Sequence, residues 1–167
     1  MHPTTPELHR NIEPLACLVG EWQGVGVGHY PTIPDFAYVE HVTFSHVGKP
    51  FLSYVQRTRD AETGLPLHAE SGYLRPGPRR HSLELVIAQP SGIVEIHAGE
   101  WSSDGGRFEI SLTSELVATT LTAKDVTAAR RSWVIEDGQL VCDVSMAAVG
   151  QALQHHLHAT LSPATPT

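Results

Sequence analysis

Three histidines fall within four positions near the end of the chain: His155, His156 and His158, in the run Gln154-His155-His156-Leu157-His158. Neutral imidazole is a common metal ligand, so a His-x-His pair on one strand face could chelate a metal ion. Strand side chains alternate, which puts His156 and His158 on one face and His155 on the other. A zinc site would need a third ligand, and the sequence does not nominate one. A structural or surface role is the competing reading. Period two alone leaves the inward face open, because Leu157 and Leu161 lie opposite His156 and His158. Eleven histidines are spread along the chain, so their number alone does not indicate a metal. His46, near a rim, reads as a turn residue, and His29, His41, His68, His81 and His97 have no evident partners.

The second candidate stretch is Gly20-Glu21-Trp22-Gln23-Gly24-Val25-Gly26, continuing into Gly28-His29-Tyr30-Pro31-Thr32. The spacing of its glycines puts them on one face of a strand. Bare backbone there admits a neighbouring strand, a crossing segment or a flat ligand. Trp22, Trp101 and Trp133 read as core, with Trp22 closing a barrel floor. Taken alone, Thr32 is turn chemistry after Pro31, and Lys124 is a solvated strand end.

The elements that must position these residues are short strands. Runs rich in aromatic and β-branched residues cover 36–44, 51–58, 67–75, 82–89, 93–101, 108–112, 116–123, 126–135, 140–146 and 153–161, after a first strand from Trp22 onward. Turn signals separate them, among them Pro90-Ser91-Gly92 and Asp137-Gly138. Pro14 and Gly20 bracket a short helix that either plugs one barrel end or simply leads in. The expected fold is all-β: an antiparallel up-and-down β-barrel of about ten strands, lipocalin- or fatty-acid-binding-protein-like, with a short N-terminal helix. A barrel of that width is not filled by its own side chains and has room for a ligand. The division reads as an N-terminal arm (1–11), one barrel domain (12–162) and a tail (163–167).

Composition narrows the function classes. A formal net charge of −7 over 167 residues argues against a phosphate-binding surface, so no nucleic-acid partner is expected. No basic-then-apolar leader opens the chain and no apolar run reaches spanning length, which reads as a cytoplasmic protein with no membrane partner. Cys17 and Cys142 are too far apart for a metal or redox spacing. Covalent haem attachment is excluded, because there is no Cys-x-x-Cys-His.

The chain closely resembles the nitrobindins, haem-binding β-barrels described as nitric-oxide-binding proteins and peroxynitrite isomerases. The matching segments are Gly20 to Gly26, with Trp22 and Gly24 between; Tyr30-Pro31-Thr32; Ser45 to Pro50; Thr122-Ala123-Lys124; and Met146 to Leu161. The resemblance spans roughly residues 12–162. It implies one non-covalent haem b per chain, with His156, before Leu157, as axial ligand to the iron. It further implies that Thr32 contacts the haem and Lys124 meets a propionate, and the glycine face then reads as room for the macrocycle. The implied activity is isomerisation of peroxynitrite to nitrate, with no catalytic residue beyond the haem iron. Two other functions stay open: a nitric oxide sensor or carrier without turnover, and a metal-free carrier of an apolar ligand. Paired barrels in a homodimer are a further possibility.

Overall fold

The computed structural model describes residues 6–164. The first five and last three residues, within the segments read as arm and tail, lie outside the described residues. Ten strands follow a 3-10 helix (Arg10–Leu18): β1 (Gly20–Tyr30), β2 (Ile33–Ser45), β3 (Leu52–Asp60), β4 (Pro66–Pro76), β5 (Ser82–Gln89), β6 (Ile93–Asp104), β7 (Arg107–Thr119), β8 (Val126–Glu136), β9 (Gln139–Ala148) and β10 (Gln154–Pro163). Each strand pairs antiparallel with its sequence neighbour, and β1 also pairs with β10, so the sheet closes into a barrel. Closure removes every free edge.

Simple up-and-down succession sorts the turns. Turns after odd-numbered strands, at 31–32, 61–65, 90–92, 120–125 and 149–153, lie at one end, the rim. Turns after even-numbered strands lie at the other, the floor. His46, in the turn between β2 and β3, is therefore a floor residue, on the opposite end from His156.

The floor is plugged by the helix. Ile12, Leu15 and Leu18 recur every third residue, the period of a 3-10 helix, so they stack on one face. All three are buried. Each contributes roughly 2 kcal/mol by leaving water. Trp22 sits beneath them and donates its indole N–H to the Leu18 carbonyl at 2.8 Å. The helix is thus a plug rather than a mere lead-in, and Trp22 does close the floor.

One sequence expectation is corrected. Segments 108–112 and 116–123 are not two strands but the body of β7 and its following turn. Ile96 pairs with Leu116 while His97 pairs with Ser114, leaving Glu115 as an extra, bulged residue. A bulge breaks the alternation that marks a strand in sequence, which splits one strand into two on paper.

Inside, Trp22, Phe44, Tyr54, Leu85, Trp133 and Leu161 belong to one large apolar cluster toward the floor. A smaller cluster near the rim joins Tyr30, Ile93, Val126 and Ala148, with Val117, Ala123 and Met146 against it. Between them runs a buried polar belt contributed by β2, β3, β4, β6 and β8.

Candidate functional site

The site is made by a second bulge. On β10, His155 pairs with Ser145 and Leu157 pairs with the very next residue, Val144, so His156 has no partner across the sheet. The alternation of β10 skips a beat there. Leu157, Ala159 and Leu161 face the interior core, and the bulge turns His156 to the same side. His155 and His158 both stand on the outer wall, where each meets Asp143. The expectation that His156 and His158 share a face is therefore corrected: the extra residue shifts the parity within the run.

His156 is held edge-on against Tyr30, with ring centroids 5.0 Å apart, and against Phe36 at 6.3 Å. Its Nδ1 lies 2.8 Å from the backbone carbonyl of His29. A carbonyl only accepts, so Nδ1 carries the proton and Nε2 keeps its lone pair. Burial holds the imidazole below its usual range, outweighing the carbonyl hydrogen bond, which pulls the other way. The side chain is neutral, fixed in one tautomer, and presents a free nitrogen. That is how a metal-ligating histidine is prepared by the group behind it.

Tyr30 supports this arrangement from below. Its hydroxyl accepts the Ala148 N–H at 2.8 Å, and its single proton faces two carbonyls of the same β9 end, Ala148 at 3.2 Å and Met146 at 3.3 Å. The end of β1 is thereby tied to the end of β9, two strands away around the wall.

Thr32 and Lys124 sit exposed in the rim turns at 31–32 and 120–125. They share the rim with His156, but no hydrogen bond or ion pair among the described residues links the three. Lys124 has no ion-pair partner among the described residues, so its ammonium is uncommitted at the mouth. The glycines behave differently from the expectation of a slot for a macrocycle. Gly24, Gly26 and Gly28 do face inward, yet the space they leave is filled by the chain itself. A Cβ on Gly24 would meet the Thr160 carbonyl of β10; on Gly26 it would meet the Tyr38 ring, and on Gly28 the Phe36 ring. Gly20 and Trp22 lie at the floor end of β1, away from the rim.

Sequence reasoning missed the polar belt. The Arg131 guanidinium grips Glu70 through two bonds, 2.7 and 3.0 Å, and reaches Glu95 at 3.0 Å. Tyr54 donates to Glu70 at 2.7 Å, and His97 bonds Glu95 at 2.7 Å. Burial works against ionisation of Glu70, but Arg131 beside it holds the carboxyl well below the usual range. Glu40 has no such cation in contact; burial pushes it up to about 7, against the hydrogen bond from Gln56 at 3.4 Å. The signal was present in the pattern: Glu40 shares the parity of Tyr38, Val42 and Phe44, and Arg131 that of Ala129 and Trp133.

The fold and this site together define a closed ten-stranded antiparallel barrel with a pre-oriented histidine at its rim. Residues 11–162 match the THAP4-like, heme-binding beta-barrel domain, and the chain belongs to that family. Peroxynitrite isomerase 2 of Mycobacterium avium (strain 104) is 53% identical over 156 residues, covering 93% of this chain and 96% of the relative. Peroxynitrite isomerase 1 of Mycobacterium tuberculosis (strain ATCC 25618 / H37Rv) is 47% identical over 163 residues, covering 94% and 97%. The crystal structure of Rv2717c from M. tuberculosis superposes with a TM-score of 0.91 at 45% identity, covering 95% of this chain and all of that one.

Proposed function

We propose that the chain binds one haem b, non-covalently, through Nε2 of His156, and isomerises peroxynitrite to nitrate. One observation carries the assignment of the ligand: the 2.8 Å bond from His156 Nδ1 to the His29 carbonyl, which leaves Nε2 as the free, neutral nitrogen at the rim. His155 and His158 are directed away, onto Asp143. The family supports haem as the cofactor, and the printed names of the relatives support the reaction.

The surroundings fit a haem. Tyr30, Ile93, Val126 and Met146 offer an apolar wall that keeps water from the ligand side. The Lys124 ammonium and the Thr32 hydroxyl, both exposed at the mouth, supply a cation and a donor for propionate carboxylates. When bound, the haem supplies an iron position that takes peroxynitrite or nitric oxide. The residues bind, orient and shield. Both cysteines are free, as suits a reducing cytoplasm.

The test is a haem titration followed by the Soret band on the wild type and on His156→Ala, paired with stopped-flow decay of peroxynitrite. Saturable one-to-one uptake, an altered or lost spectrum in the variant, and faster decay with ferric holoprotein than with buffer are expected. Identical spectra in the two proteins would remove His156 as ligand. Decay no faster than in buffer would leave a haem-binding protein without this activity.

A further inference from the structure

The same bulge that turns His156 inward builds a second constellation on the outer wall. His155 Nε2 and His158 Nδ1 each lie 2.9 Å from one oxygen, Asp143 Oδ1. Three residues apart on a regular strand, these histidines would stand on opposite faces; the unpaired His156 between them brings both to one face. Asp143 sits directly across the sheet, paired with His158. The three ligand atoms lie within 4.8 Å of one another.

We propose that Asp143, His155 and His158 form a site for a divalent first-row transition ion on the barrel's outer wall, distinct from the haem position. Two imidazoles and one carboxylate are the donor set such ions take, with the remaining coordination positions left to water. A tetrahedral zinc ion with bonds of about 2.0–2.1 Å needs its ligand atoms roughly 3.3 Å apart. The two nitrogen–oxygen separations, 2.9 Å each, fall a few tenths of an ångström short of that, and all three ligand atoms lie within 4.8 Å, so binding an ion requires the side chains to rotate. Asp143 Oδ2 makes no hydrogen bond among the described residues, and the carboxylate has capacity to spare. Among the described residues no lysine or arginine forms an ion pair with Asp143, whose partners are the two histidines themselves. Arg130, the exposed one of two arginines on the adjoining strand β8, is paired in register with Ser145 and forms no ion pair with Asp143 among the described residues. Asp143 and His158 are held by ladders on both sides, and His155 is paired with Ser145 of β9. The site does not depend on the haem assignment.

The experiment is a calorimetric titration of haem-loaded protein with Zn2+, in a buffer that does not chelate, on the wild type, Asp143→Asn and His158→Ala. One equivalent bound by the wild type, and affinity at least tenfold weaker in both variants with the Soret band unchanged, is expected. No saturable uptake by the wild type, or equal uptake by all three proteins, overturns the site. A second measurement needs no variant: modification of histidines by diethyl pyrocarbonate, mapped by mass spectrometry with and without Zn2+. Protection concentrated on His155 and His158 supports the site. Protection confined to other histidines, such as His29 beside Asp35, places the ion elsewhere and overturns it.

Discussion

The ring of Phe36 occupies the space where a Cβ of Gly28 would stand. Phe36 in turn faces His156 across 6.3 Å, so a glycine that touches no ligand shapes the pocket of the residue proposed to hold one. The glycine repeat of β1 is best understood as a bed for aromatic side chains from β2 and for the close approach of β10.

Gly28→Ala should therefore displace Phe36 and disturb His156 together. A loss of about 1–3 kcal/mol is expected from overpacking. Haem affinity should fall about tenfold, the equivalent of about 1.4 kcal/mol. Thermal melts and a haem titration read the two effects separately. An unchanged melting point with unchanged affinity would show that Phe36 moves aside at no cost.

The ion belt offers a sharper stability test. Arg131→Met leaves Glu70 and Glu95 buried without their shared cation, and removing one partner of a buried pair costs about 3–5 kcal/mol. Adding Glu70→Gln and Glu95→Gln to the same chain should recover most of that loss, since the uncompensated charges are then gone. Urea unfolding of the single and triple variants decides it. A single variant within about 1 kcal/mol of wild type would mean that water or carboxyl protonation relieves the belt.

Glu40 predicts a pH dependence of definite sign. Its carboxyl sits at about 7 in the folded chain against an ordinary 4.5. Between those values the folded state holds a proton that the unfolded state has released. The stabilisation is full below about 4.5 and is lost as pH rises through about 7, an amount of roughly 3 kcal/mol. Glu40→Gln removes this loss while keeping a partner for Gln56. The stability of wild type relative to the variant, from urea unfolding, should fall by roughly 2–3 kcal/mol between pH 5 and pH 8, since part of the effect is already lost at pH 5. A difference independent of pH would place the Glu40 carboxyl back in its normal range.

Much of this architecture was legible from the order of residues. Hairpin turns such as Asp137-Gly138 and the aromatic, β-branched runs define the barrel, and the triplet Ile12, Leu15, Leu18 is already the face of the plug. The two bulges were not legible. Nothing in the residue types of Glu115 or His156 marks an extra residue, and each shifts the parity on which inward and outward are judged. At β7 this turned one strand into two. At β10 it paired the wrong histidines, although the resemblance already pointed to His156. The polar belt failed for another reason. Its parity was correct, but carboxylates are so seldom buried that the pattern was read past them.

The path of the chain also decides where the molecule can be held. The helix enters at the plugged end, where Glu7 and Pro6 lie against Gly48, and β10 leaves there, with the Ala164 N–H bonded to Glu21. Both ends of the described chain emerge opposite the histidine pocket. A surface anchor, a label or a second folded module joined at either end therefore leaves the mouth facing outward, and the barrel can be tethered without being stoppered.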